Sequence, residues 1–314
     1  MASSTGVVVA ALFANGAIAI MKFVGYLLTG SPSMLSETYH SISDTGNQVF
    51  LLLGIRYGRR DPSREHPFGY GKAQFFYSFL VAVLLFGIAG WESVRHGYDA
   101  LMNPHPPATG TATIPVLDVT FQAVYVNYGV LLAAIVFEAY AFSKAHANMS
   151  RQIETHGWSG YREAFRKTSD VTVLTALTED TIAMAGAGIA LFGIYLSRYT
   201  GNPVYDAVGA LLIGVMLMGF ALALAWENKR LILGESLPTE EERELRDIVT
   251  GFDTVVNIID LRSVYFGPER VLITADVTFV DDLDTTEMDD VITEIEAAMV
   301  EANPDIEKVY IEPE

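Results

Sequence analysis

The sequence predicts an α-helical membrane protein: six transmembrane helices followed by a small α+β domain. Two observations carry that reading. Apolar runs recur near residues 7–29, 33–55, 73–96, 118–142, 171–196 and 204–226, each close to the ~20 residues that cross ~30 Å of hydrocarbon. After residue 230 they give way to shorter segments with the periods of strands and amphipathic helices. A soluble protein with buried core helices would need far more polar sequence than six such lengths within 226 residues leave. The chain therefore divides into a transmembrane region, 1–230, and a terminal domain, 231–314.

The first run, VVVAALFANGAIAIMKFVGYLLT, is longer than a signal-peptide core and has no basic segment before it, so it is expected to be retained. Orientation follows from Lys and Arg, which accumulate on the cytoplasmic side. The connection after the second run carries Arg56, Arg59, Arg60, Arg64 and Lys72, and the one after the fourth carries Lys144, Arg151, Arg162, Arg166 and Lys167. The connections after the first, third and fifth hold only Arg198. Both termini are thus expected in the cytoplasm, on an integral protein of the cell membrane.

The net charge of −18 belongs to the terminal domain. Residues 1–230 hold 15 acidic and 15 basic side chains, whereas residues 231–314 hold 23 acidic and 5 basic ones. Disorder is not the expectation there, because the segment has the pattern of a folded domain. Thr239 and Glu242 read as a capping box opening a helix. VVNIIDLRSVYF and RVLITADVTFV read as strands joined by an FGPE turn, and Val271, Ile273, Ala275, Val277 and Phe279 alternate onto one face. A second helix places Met288, Val291, Ile292, Ile295, Ala298 and Met299 on one stripe, and EKVYIE closes as a strand. A domain this small has little core of its own, so a homodimer is expected. The acidic cluster DDLDTTEMDD is read as a solvated, salt-adapted surface. The chain has no cysteine, which excludes disulfides and thiolate ligands.

The second run is interrupted by SETYHSISDTGNQ. Residues three, four, seven and ten apart share a helix face, so Glu37, His40, Asp44 and Asn47 form one polar stripe. A charged residue at the centre of a span costs roughly 2.5–3.5 kcal/mol, so the stripe must face the bundle interior or a water-filled cavity. The fifth run repeats the feature with Glu179 and Asp180, whose side chains point ~100° apart on a helix. Either one opposite His40 and Asp44 would assemble one imidazole nitrogen and carboxylate oxygens, a set suited to a divalent transition metal. The alternative is that these groups bond only to one another between helices. Lys22 and Glu138, also inside spans, are expected to snorkel or to pair with each other. Asp206 is expected near the outer surface.

With HSISD at 40–44, HPFGYGK at 66–72 and GESLPTEEER at 234–243, the chain resembles the cation diffusion facilitator family over nearly its whole length. The Glu179–Asp180 pair is similar to the mitochondrial or nuclear-receptor-coactivator-like branch of that family's zinc transporters. The resemblance implies a metal/proton antiporter with six spans and a cytoplasmic ferredoxin-like domain. It also likens Lys72 to a hinge lysine, with Glu235 as its nearest acidic partner. Three departures stand out. Ala176 occupies the place of a fifth-span histidine, Tyr70 interrupts the loop's histidine pattern, and the tail has no histidine for a bridged cytoplasmic site.

The combined expectation is efflux of a cytoplasmic divalent metal in exchange for external protons, by alternating access. Zinc is the first cargo and manganese or iron(II) further ones, since loss of an imidazole at 176 makes the site oxygen-rich. The ligands are His40, Asp44 and Asp180, with Glu179 as a fourth and Asn47 as a weaker oxygen donor. His66, His146 and His156 are candidate relays in the cytoplasmic connections. Expected partners are the lipid bilayer, the metal ion, protons and a second copy of the chain, with no nucleic acid, no cofactor and no enzymatic reaction. A membrane-embedded metallohydrolase or a metal sensor using the same side chains are the alternatives.

Overall fold

The computed structural model describes residues 2–104, 110–114, 119–161, 163–164 and 171–314, with side chains from Leu12 onward except at 112–114, 119, 155–156 and 171–176. Arg162, Arg166 and Lys167, and the side chains of Ala176 and His156, lie outside that description. Two compact units emerge, Met1–Phe50 with Leu80–Leu224, and Leu51–Phe79 with Ala225–Glu314.

The long helices are α1 (Ala2–Thr29), α2 (Pro32–Gly58), α3 (Ala73–Met102), α4 (Val124–His156), α5 (Val171–Thr200) and α6 (Val204–Leu233). Five of them are long and apolar enough to cross a membrane. The exception, α2, has the length at 27 residues, but its polar stripe lowers its apolar content. Outward-facing side chains such as Ile20, Val136, Phe192, Val215 and Leu222 are exposed, as a lipid-facing surface requires. Inside, Met34, Leu85, Leu131, Ile213 and Leu217 pack with Ala187 and Ala190. Within α3, Leu85–Gly90 is wound as a π-helix.

Several helices run past the expected ends, α3 to Met102 and α6 to Leu233, and both boundaries of the fourth span differ from the sequence reading. The fourth span was expected from residue 118, but a hairpin of β1 (Thr111–Ile114) and β2 (Val119–Gln122) precedes α4. The Val-Thr-Phe run is β-branched and aromatic, and a short apolar run cannot be assigned to helix or strand from its period alone. At its other end α4 continues well past residue 142, carrying Lys144 and Arg151, until Gly157 at φ +65° stops it.

In the second unit lie α7 (Thr239–Thr250), β3 (Val255–Gly267), β4 (Arg270–Phe279), α8 (Thr285–Ala302) and β5 (Ile306–Pro313). The sheet order is β3-β4-β5, antiparallel then parallel, so α8 forms the crossover. The alternating face of β4, from Val271 to Phe279, is buried against Leu245 and Val249 of α7 and Ile295 and Met299 of α8. The expected capping box at Thr239 does not form. Pro238 takes the cap position with φ −53° and ψ 143°, leaving Thr239 inside the helix. A capping box does form at Asp284 and Glu287, so part of the acidic cluster is structural: Asp284 accepts from the amides of Thr286 and Glu287 at 2.8 and 2.9 Å.

Arg270 and Glu307 tie β4 to β5, and the hydrogen bonds from Arg270 hold the Glu307 carboxyl below its ordinary pKa. Its contribution is present above the ordinary carboxylate range and fades as pH falls through the lowered value. The remaining acids of the domain have few cations to meet. We predict that residues 236–314, expressed alone, fold as a soluble α+β fragment that melts higher in strong salt, where the Debye length is ~3 Å, than at 0.01 M, where it is ~30 Å. Equal melting at both extremes, followed by circular dichroism, would refute salt adaptation.

Candidate metal-transport site

The site is built on one face of α2. At its N-terminal end Glu37 is fully buried, and its Oε2 accepts from the Lys22 ammonium of α1 at 2.6 Å. Lys22 therefore pairs with Glu37, not with Glu138. Glu37 Oε1 has no hydrogen-bond partner among the described residues and lies against Gly186 of α5, where a Cβ would come within 2.5 Å of it. Only glycine lets α5 approach this carboxylate so closely.

One turn on, His40 is 1% exposed. Its Nδ1 is 3.4 Å from Asp44 Oδ1, and neither ring nitrogen makes a hydrogen bond among the described residues. A buried imidazole without partners is costly unless something else uses its nitrogen. Further along, Asn47 Nδ2 donates to Glu179 Oε1 of α5 at 3.3 Å. Glu179 is thus the α5 acid seen bonded to α2. Asp180 acts on Asp44 through space, and Asp44, Glu138, Glu179 and Asp180 all lie within Coulombic reach of one another. Glu138 of α4 is the member that the sequence did not place in this cluster, because nothing local ties α4 to the stripe on α2.

The expected ligands His40, Asp44, Asp180, Glu179 and Asn47 thus share one region between α2 and α5. They do not form a closed shell: among the described residues no three His, Asp or Glu side chains are gathered tightly enough to hold an ion. What the region offers is one imidazole, several carboxylates of one sign and an amide, all in a span interior.

Other sequence expectations need correction. Asp206 stands in the first turn of α6, where the sequence put it, but it is not solvated there. It is buried, and its Oδ1 accepts the Ser33 N–H at 3.1 Å while the Ser33 hydroxyl donates to the Asp206 carbonyl at 2.7 Å, so the first turn of α6 caps the first turn of α2. Lys72 does not reach Glu235. It donates to the Ile232 carbonyl at 3.3 Å, and Glu235 pairs with Arg230. The Tyr70 ring lies tilted against the His66 ring, 4.3 Å between centroids, and His146 is hydrogen-bonded to the Tyr161 hydroxyl at 3.0 Å.

A bundle of apolar helices whose interior carries carboxylates and an imidazole, joined to a small α+β domain, fits a membrane transporter of cations. The model described as the cation efflux transmembrane domain matches residues 8–233, and that described as the cation efflux protein cytoplasmic domain matches residues 237–314. The chain belongs to the cation efflux family, whose members are transporters and not enzymes. It is 30% identical over 273 residues to the human mitochondrial proton-coupled zinc antiporter SLC30A9, covering 87% of this chain and 45% of that protein. It is 26% identical over 272 residues to metal tolerance protein C4 of Arabidopsis thaliana, covering 87% and 56%. With the cation-efflux pump FieF of Klebsiella pneumoniae it shares 26% over 265 residues, covering 84% and 77%. The chain thus spans about half the length of the first of these relatives.

The Lys22–Glu37 pair supplies a stability test. Removing one partner of a buried pair leaves an uncompensated charge and typically costs about 3–5 kcal/mol, whereas replacing both with apolar groups costs far less. Lys22→Met is expected to lower the melting temperature in detergent sharply. Adding Glu37→Leu should restore most of it, and a double variant no more stable than the single one would remove the pair from any structural role.

Proposed function

We propose that the chain exports a divalent cation, zinc first, in exchange for protons. The observation that carries this is His40: a buried imidazole with both nitrogens unbonded among the described residues, beside Asp44 and within electrostatic reach of Glu179 of α5. Such nitrogens bind a transition metal only when unprotonated, as carboxylates do, so metal and protons compete for the same atoms. A site that opens alternately to each side then couples the two fluxes. The name of the human relative, a proton-coupled zinc antiporter, supports the same cargo and exchange. His40, Asp44 and Asp180 are the ligands, Glu179 a fourth, and Asn47 holds Glu179 in place or contributes its own oxygen. Manganese and iron(II) are weaker cargoes, because an oxygen-rich set discriminates less. The protein works as a homodimer in the cell membrane, with both termini cytoplasmic.

Sealed proteoliposomes loaded with a zinc indicator test the proposal. Uptake should require an imposed pH gradient, and Asp44→Ala and Asp180→Ala should each abolish it while the protein stays folded, the double change doing no further harm. Binding without gradient-driven uptake would mean a sensor, and full activity in Asp180→Ala would hand its role to Glu179.

Topology has its own test, made clean by the absence of native cysteine. Cysteines placed at Ser63 and Ser159 should react with an impermeant maleimide only from the cytoplasmic side. Labelling from outside would reverse the proposed orientation.

A further inference from the structure

Where α2 ends, α3 begins and α6 ends, the second unit encloses a cavity of about 750 Å³. That lies within the roughly 300–1,000 Å³ of ordinary small-molecule sites. Its walls are mainly apolar, with Tyr57, Phe68 and Phe76 from the helix ends and loop, and Phe266 and Leu272 from the sheet. Lys72 is the one lysine or arginine among its described lining residues, which also include Glu65 and His66, and its ammonium donates to the Ile232 carbonyl at 3.3 Å.

Three features place this cavity at the level of lipid headgroups. Three long helices terminate around it. Phe68 and Phe76 on its rim are 47% and 55% exposed, which is unfavourable against water and natural against acyl chains. Aromatic rings with cations over them cluster at the same helix ends: the Arg60 guanidinium sits 4.1 Å from the Tyr57 ring, and the Lys229 ammonium 5.1 Å from Trp226. Rings and cations of this kind mark the membrane–water boundary. The adjoining segment, residues 56–72, carries Arg56, Arg59, Arg60, Arg64 and Lys72 against only Asp61 and Glu65.

A mainly apolar chamber with Lys72 in its lining, continuous with a loop of five Lys and Arg against two acids, complements a molecule with a hydrocarbon body and a negative head. We infer that the cavity binds an anionic phospholipid, with an acyl chain against Phe76 and Leu272 and the phosphate toward Lys72 and the loop arginines. None of Glu37, His40, Asp44 and Asn47 is among its described lining residues, so the inference does not depend on the proposed transport.

The test uses the full chain in nanodiscs of phosphatidylcholine, with or without phosphatidylglycerol. Phosphatidylglycerol should raise the melting temperature and remain as an adduct in native mass spectrometry. Val264→Trp, which fills the cavity from its wall, should weaken that adduct about tenfold or more, a loss of ~1.4 kcal/mol or greater. Phe76→Ala, at an exposed side chain, must also weaken it, and this keeps the test valid if tryptophan disturbs β3. Replacing Arg59, Arg60 and Arg64 by Gln should reduce the preference for the anionic lipid without emptying the cavity. An adduct unchanged in both Val264→Trp and Phe76→Ala would mean that lipid is held only by general surface charge, overturning the inference. Soluble glycerol phosphate should give no shift; a shift equal to that of the lipid would make this a phosphate site and overturn it equally.

Discussion

A charge inside hydrocarbon must be met by another group, and much of this membrane bundle can be understood as the set of partners that α2 requires. Its stripe from Glu37 to Asn47 would be intolerable on an isolated helix. In the structure α1 supplies Lys22, α5 supplies Glu179 and the glycine that accommodates Glu37, and α6 supplies the Asp206 cap. Apolar packing of Met34, Leu131 and Leu217 fills the space between, but it is non-directional and cannot by itself decide which helix faces which.

The partners divide the stripe into two chemical zones. Glu37 is neutralised by a fixed ammonium that cannot leave, so it has little to offer a passing ion. His40 and Asp44 have no such counter-charge in contact, and the carboxylates facing them repel one another. One face of one helix thereby holds an acid with a permanent counter-charge next to a set whose deficit only a cation or protons can fill. A difference of three positions decides which kind of site each residue belongs to.

Much of this was legible in the chain. Six apolar lengths, the i, i+3, i+4 spacing of the stripe and the strict alternation of Val271 through Phe279 are local patterns, and local patterns survive in sequence. The pairing of Lys22 with Glu37, the burial of Asp206 and the membership of Glu138 in the acidic cluster were not legible, since each depends on which helices become neighbours and leaves no trace in spacing. The β1–β2 hairpin was lost because Val-Thr-Phe is as apolar as the helix that follows it. Thr239 had the right residue three positions later, but Pro238 already held the backbone shape a cap needs.

The partners of α2 also differ in when they are made. Lys22 and Glu37 are 15 positions apart, whereas Asn47 and Glu179 are separated by 132 and Ser33 and Asp206 by 173. A chain leaves the ribosome from its N-terminus, so α1 and α2, joined by the short turn at Gly30, can enter the bilayer as a hairpin that already neutralises its own fully buried acid. His40, Asp44, Asn47 and the amide of Ser33 have no such early companion. They must stay hydrated, or within the insertion machinery, until the last two helices emerge, which makes the arrival of α5 and α6 the step that commits α2 to the membrane.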